Sequence, residues 1–178
     1  MDGVRVRLMT EADIDAVAAV RVRGWQAAYR GLIPQAHLDG LSVEKDAARR
    51  REFFSRGLGD VVNLVAENAG GKVVGWACLG PYRDRDLPSG DAELYAIYVR
   101  PDQIGTGIGH ALLTESITRA TERGFPHLRL WVLEGNTHAR HFYERAGFTP
   151  DGGQEDYEVE GVPVPELRYA RSLAPTAV

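Results

Sequence analysis

Apolar positions recur along this chain with two periods, two residues in some runs and three to four in others, so it reads as short strands interleaved with amphipathic helices. Val4, Val6 and Leu8 alternate with Arg5 and Arg7 and predict a first strand with one wet face. Thr10, with Asp13 three residues on, offers a capping signal for a helix carrying Ile14, Val17, Ala18, Val22, Trp25 and Tyr29 on one side, broken by Gly31 and Pro34. A second helix is expected from near Ser42 through Phe53 and Phe54 to Gly57. Val61 to Glu67 and Lys72 to Leu79, joined by Asn68, Ala69, Gly70 and Gly71, read as a hairpin. The charged segment Pro81 to Asp91 reads as a loop beside the site.

The strand Glu93 to Val99 is stopped by Pro101, and the glycines at 105, 107 and 109 then open a helix that carries Ile108, Leu112, Leu113 and Ile117. Gly124 and Pro126 end it, and Leu128, Leu130, Val132 and Leu133 around Trp131 make the next strand. A right-handed crossover would make these two strands parallel neighbours. A last helix, about Thr137 to Ala146, leads through Gly147 and Phe148 into a C-terminal β-hairpin ending at Leu167 to Tyr169.

Composition narrows the function classes. With 178 residues, 44% of them hydrophobic, and no internal repeat, residues 1–178 suit one domain with a real core. A net charge of −4 speaks against a nucleic-acid partner, and the basic run Arg49 to Arg51 reads as a solvated helix face. No apolar run reaches the roughly 20 residues that span a bilayer, and Met1 to Thr10 lacks a signal-peptide core. Cys78 is the single cysteine, so no internal disulfide forms and the cytoplasm is the expected compartment.

A strand feeding a glycine-rich turn and then a helix gathers unpaired backbone N–H groups at the positive end of a helix dipole, where phosphate binds. A Walker loop needs Gly-Lys-Ser/Thr there, but Gly109 is followed by His110 and Ala111. A dinucleotide fold wants G-x-G-x-x-G; the spacing here is G-x-G-x-G, and too few residues follow Glu134 for a doubly wound sheet.

The stretch Ile104 to Gly109, IGTGIG, resembles the Q/R-x-x-G-x-G/A loop of the GNAT superfamily of N-acetyltransferases, with Ile104 where the family prefers Gln or Arg. Asn136 to Phe148, NTHARHFYERAGF, resembles the family's asparagine and F-Y-x-x-x-G-F segment, and Gly24 to Pro34, GWQAAYRGLIP, a W-x-x-A-Y-x-G-x-x-P pattern found in one large group of members. The resemblance implies an α+β fold: a twisted, mostly antiparallel sheet of about seven strands flanked by about four helices, with parallel strands 4 and 5 splayed apart. It implies acetyl-coenzyme A as cofactor. The backbone of Ile104, Gly105, Thr106, Gly107, Ile108, Gly109 and His110 would meet the pyrophosphate, the edge of Ile97, Tyr98 and Val99 the pantetheine, and Asn136 either the cofactor or its own helix end.

Acetyl transfer to an amine needs a neutral nucleophile, oxyanion stabilisation and a proton for the leaving thiolate. A lysine-like amine with a pKa near 10.4 is almost wholly protonated at pH 7, which costs about 4–5 kcal/mol and makes a base useful. Glu93 matches the general-base glutamate of histone-type members, and alternation would place it with Tyr95, Ile97 and Val99. An acid at a solvated strand start is the alternative. The Val99 N–H is a candidate oxyanion donor. Tyr143 matches the tyrosine that protonates the thiolate, although its spacing with Ala139, Phe142 and Ala146 also suits a core position.

Trp25, Tyr29 and His37 are candidate acceptor contacts, or core aromatics on an amphipathic helix. His138 and His141 lack further ligands at useful spacing, so no metal is expected. Nothing around Ser89, Ser116 or Cys78 resembles an activated nucleophile, which favours direct transfer in a ternary complex. Asp151, Glu155, Asp156, Glu158 and Glu160 form an acidic run without a balancing base, pointing to a cationic amine, on a small molecule or a protein, or to a solvated loop. A homodimer is compatible with these features. A non-catalytic acyl-coenzyme A sensor and a dinucleotide-dependent redox protein remain as alternatives.

Overall fold

The computed structural model of the chain describes residues 3–84, 86, 87 and 90–173, so Ser89 lies outside the described residues. Among them seven strands form one sheet: β1 (Arg5–Leu8), β2 (Val62–Glu67), β3 (Val73–Pro81), β4 (Ala92–Val99), β5 (His127–Leu133), β6 (Thr149–Val159) and β7 (Val162–Ser172), in the order β1-β2-β3-β4-β5-β7-β6. Every neighbouring pair is antiparallel except β4 and β5. The helices are α1 (Ile14–Ala28), α2 (Gln35–Asp39), α3 (Val43–Ser55), α4 (Ile108–Glu122) and α5 (Thr137–Arg145). That is five rather than about four. The extra one is α2, a single short turn of helix after Pro34 that buries only Leu38, too little for its apolar period to be read.

Two apolar layers sandwich the sheet. On one face Ile108, Leu112, Leu113 and Ala120 of α4, with Tyr143 and Phe148, cover Leu64, Ala77, Leu94, Leu128 and Leu130. Gly75 permits this docking, because a Cβ there would lie 2.8 Å from a Leu112 methyl and 2.9 Å from one of Ile108. On the other face Ile14, Val17, Ala18 and Val20 of α1 and Ala47 of α3 cover Val65, Trp76 and Cys78. A third group, Ile33, Leu38, Leu133, Val159 and Val164, joins α2 to the β6–β7 hairpin, with Trp25 and Tyr29 against it.

The parallel pair is short. Only Ala92 with Leu128 and Glu93 with Arg129 are in register, and the C-terminal parts of β4 and β5 diverge. The divergence begins beside a β-bulge: Cys78 faces Ala96 and Leu79 faces Leu94, so Tyr95 has no opposite number on β3. An added residue twists and bends a strand and reverses its alternation. Glu93 therefore does not share a face with Ile97 and Val99, as simple alternation predicts. Ile97 and Val99 pack with Leu94 in the α4 layer, whereas Tyr95, Ala96 and Tyr98 turn to the α1 layer.

The basic run is not uniformly solvated either. Arg49 and Arg51 are exposed, but Arg50 donates to Asp46 at 2.8 Å and lies 4.2 Å above the Trp76 ring, closing the α3 edge of the core.

Candidate active site

The open edge of β4 runs directly into the glycine turn. From Leu94 to Val99 this edge has no strand on the β5 side, which leaves main-chain groups available there for an extended ligand. After Pro101 a 3₁₀ turn, Pro101–Gln103, redirects the chain, and Gly105 and Gly107 take φ values of 83° and 89° that L side chains avoid. Gly107 is the N-cap of α4, and its carbonyl accepts from Ala111. The N–H groups of Gly105, Gly107, Ile108, Gly109 and His110 find no acceptor among the described residues. Five donors converging on a helix N-terminus, without side chains at three of those positions, fit a pyrophosphate.

The side chains of the turn play unequal parts. Ile108 is buried in the α4 layer, so only its backbone faces the turn. Ile104 is half exposed, and Thr106 donates its hydroxyl to the Gln103 carbonyl, tightening the loop. Beside the turn, His110, Thr114, Arg145 and Arg171 line a groove of about 560 Å³ between α4, the end of α5 and β7. Asn136 caps α5, accepting from the Ala139 N–H at 3.3 Å.

Tyr143 lies in the α4 layer between Phe142 and Phe148, with ring centroids at 5.4 and 6.0 Å. The residue is only 8% exposed, and its hydroxyl is not among the fully buried polar atoms left without a partner. Burial, then the neighbouring Tyr98, pushes its phenol well above the usual value, so it stays protonated and can donate.

On the opposite face the Tyr98 hydroxyl meets that of Tyr29 at 3.1 Å. Trp25 packs edge-on against Tyr29 at 5.0 Å and against Tyr157 of β6 at 6.4 Å. Its indole N–H lies near the Tyr98 hydroxyl but is buried without hydrogen-bonding geometry to any described residue. His37 on α2 reaches Glu160 at the hairpin turn at 3.1 Å. The structure thus brings Trp25, Tyr29, Tyr98 and His37 into one aromatic wall, while the backbone of Tyr98 remains on the open edge.

Glu93 is 2% exposed. Its carboxylate accepts from the Arg83 backbone N–H at 3.1 Å and from the guanidinium at 2.8 Å, and that guanidinium lies 4.0 Å over the Tyr95 ring. Arg83 gave no signal in the sequence, being one of several arginines in a charged loop. The hairpin acids are not all unbalanced: Asp151 accepts from Arg168 at 2.7 Å and pairs with Arg129, because a bulge between Pro150 and Gln154 turns it inward. Arg168, 6% exposed, also holds Tyr82 and Asp86, and Trp131 donates to Asp84 at 3.1 Å, so the β3–β4 loop is tied to β5 and β7. These links join residues 45 or more positions apart in sequence, and no local pattern announces them.

Cys78 and Ser116 lack the surroundings of activated nucleophiles. Burial pushes the Cys78 thiol up to about 12, and Ser116 is fully buried and donates to the Leu112 carbonyl at 2.7 Å. Among the described residues no cluster of His, Cys, Asp and Glu could hold a metal, His138 and His141 are exposed, and no helix is long and apolar enough to cross a membrane.

The family model "Acetyltransferase (GNAT) family" matches residues 25–148, which span the aromatic wall, β4, the glycine turn and α5. The Uncharacterized N-acetyltransferase YuaI of Bacillus subtilis is 33% identical over 165 residues, 92% of this chain and 90% of that protein. Among solved structures, a GNAT superfamily phosphinothricin acetyltransferase from Sinorhizobium meliloti in complex with AcCoA superposes with a TM-score of 0.72 at 22% identity, covering 96% of this chain and 88% of that one. PaiA N-acetyltransferase from Thermoplasma acidophilum, in complex with coenzyme A, superposes with a TM-score of 0.70 at 21% identity, covering 95% and 98%. The bulged, splayed strand pair, the donor-lined turn and the extent of these matches lead to one assignment: the chain belongs to the acetyltransferase (GNAT) family.

Proposed function

We propose that the protein moves an acetyl group from acetyl-coenzyme A to a primary amine by direct transfer while both substrates are bound. The observation that carries this reading is the continuity of the open β4 edge with the N–H-lined turn at Gly105 to His110, with Tyr143 kept protonated in the α4 layer. Acetyl-coenzyme A supplies an activated thioester when bound. Residues Ile97 to Val99 would hold its extended arm, with the Val99 N–H as the oxyanion donor, and the glycine turn would hold its pyrophosphate. Arg145 and Arg171 in the adjoining groove suit a further phosphate. Asn136 fixes the start of α5 and so the height of Tyr143, which donates to the departing sulfur.

The amine approaches from the α1 face, through the gap between β4 and β5 and past Trp25, Tyr29 and Tyr98. An aromatic wall next to a hairpin bearing exposed Glu155, Asp156 and Glu158 favours a cationic acceptor. Cys78 and Ser116 are buried and unactivated, which argues against a covalent acetyl-enzyme at either. Work in the cytoplasm accords with a lone reduced thiol.

Thermal unfolding with acetyl-coenzyme A, coenzyme A, NAD and ATP tests the donor. A ligand present at about 100 times its dissociation constant stabilises by about 2.7 kcal/mol. A midpoint raised by acetyl-coenzyme A, followed by thiol release in an amine screen, is the expected result. A shift with NAD and none with acetyl-coenzyme A would sink the reading, and donor binding without turnover of any amine would favour a sensor.

A further inference from the structure

Once Arg83 has closed over Glu93, the carboxylate inherited from the family pattern is a poor place for a substrate's proton. Its oxygens accept from the Arg83 backbone and guanidinium, and protonation there would break an ion pair whose carboxylate is buried. Another carboxyl group lies on the acceptor face. Glu166 of β7 stands opposite Leu133, the last residue of β5, and opposite Glu155 of β6. Alternation from Val164, which packs in the group containing Leu133, Val159, Trp25 and Tyr29, puts Glu166 on that same face. Tyr29, on that face, feels the charge of both Glu166 and Tyr143.

One further feature marks this face as a place for a ligand. The Trp25 indole N–H is a buried donor with no acceptor among the described residues. It awaits a polar group that those residues do not supply.

We propose that Glu166, set by its cross-strand partner Glu155, is the group that accepts the proton from the acceptor's ammonium. The inference rests on the acetyl-transfer reading above. Glu166 takes one proton from the ammonium, freeing the nitrogen lone pair to form the bond to the acetyl carbon as the carbon–sulfur bond breaks. Tyr143 gives its proton to the departing sulfur and regains one from the acylated nitrogen. Glu166 then returns its proton to solvent, so one amide, one thiol and one proton are produced.

The surroundings suit the role. Glu155 of β6 stands opposite Glu166, the charges of Asp84 from the β3–β4 loop and Glu93 from β4 also act on it, and it acts in turn on Tyr29 of α1, all acids or neutral groups. The nearby guanidiniums of Arg83 and Arg168 are committed to Glu93 and to Asp151 and Asp86. Burial first, then the hydrogen bond and charge of Glu155, push Glu166 up to about 8. Such a carboxylate is a far stronger base than an ordinary one, whose pKa is near 4.3.

The test uses the full chain saturated with acetyl-coenzyme A, with propylamine as the acceptor probe, from pH 6 to pH 10. Wild-type kcat/KM for propylamine should rise through about pH 8. Glu166→Gln should lower it about 100-fold at pH 8 and abolish that limb, with the dissociation constant for acetyl-coenzyme A unchanged. Glu166→Asp should restore part of the rate, and Glu155→Gln should move the limb about one pH unit lower by removing a like charge. In ¹³C-glutamate-labelled protein, one carboxyl carbon should titrate near pH 8, vanish in Glu166→Gln and move lower with propylammonium. A carboxyl resonance near pH 8 that ignores propylammonium, or Glu166→Gln protein with the wild-type rate, overturns the assignment. Failure to bind acetyl-coenzyme A at all overturns the acetyl-transfer reading instead.

Discussion

Arg83 covers the Glu93 carboxylate asymmetrically: the guanidinium side chain is 61% exposed, while the carboxylate it neutralises is 3% exposed. The two halves of the pair should therefore be unequal under mutation. Arg83→Gln leaves a buried charge without its partner, whereas Glu93→Gln leaves a cation that water can solvate. We expect Arg83→Gln to cost about 2 kcal/mol, below the range for a fully buried pair because Arg83 remains wet, and Glu93→Gln to cost clearly less. Urea titrations of both variants decide it; equal losses would mean that the carboxylate is hydrated. With Glu166 as the base, Glu93→Gln should also keep the pH limb near 8.

Tyr143→Phe removes a hydroxyl that engages no partner among the described residues, so little stability should go with it. Turnover should fall about 100-fold, the scale for loss of a positioned acid, with acetyl-coenzyme A affinity nearly unchanged. Single-turnover thiol release alongside calorimetric binding separates the two effects. Unaltered turnover would remove Tyr143 from the reaction.

Gly107→Ala places a Cβ on a backbone with φ of 89°, a conformation costing an L residue about 1–2 kcal/mol. The same methyl stands where donor N–H groups converge, so affinity for acetyl-coenzyme A should fall by more than the loss of stability explains. Calorimetry against acetyl-coenzyme A, with circular dichroism to verify the fold, checks it. Wild-type affinity in a folded variant would contradict the pyrophosphate assignment.

The order of strands and helices was readable because each has its own period and its own stop. Pro101 ends β4, Gly107 opens α4, and the Asn68 to Gly71 turn joins β2 to β3. The site was readable where its parts are contiguous, as at Ile104 to Gly109 and around Tyr143. It was not readable where the chemistry depends on register. A single bulge at Tyr95 moves Glu93 off the face of Ile97 and Val99, and no residue type at that position foretells it. Likewise Glu155 and Glu166 become partners only through the register of the β6–β7 hairpin, counted from the Val159–Val162 pair at its turn. In the sequence they are two acids among several, and Asp151, another of them, proves to be the counter-ion of buried Arg168.

The Glu155–Glu166 pair should also leave a signature in stability that does not depend on any substrate. The folded state holds the Glu166 proton up to about pH 8, whereas an ordinary glutamate lets it go near 4.5. Below pH 4.5 both states carry the proton and the pair costs nothing. As pH rises above 4.5 the unfolded chain ionises while the folded one does not, so stability falls with pH until the folded carboxyl ionises too, near 8. Glu166→Gln removes this titration and lets a side-chain amide donate to Glu155. Its melting midpoint should match wild type at pH 4 and exceed it by a few degrees at pH 9, less than the full shift implies because the site is partly hydrated. Glu155→Gln should show the same trend more weakly. Differential scanning calorimetry at pH 4, 6, 8 and 9 measures both variants, and a difference that stays flat across that range would mean that Glu166 ionises like a solvated glutamate.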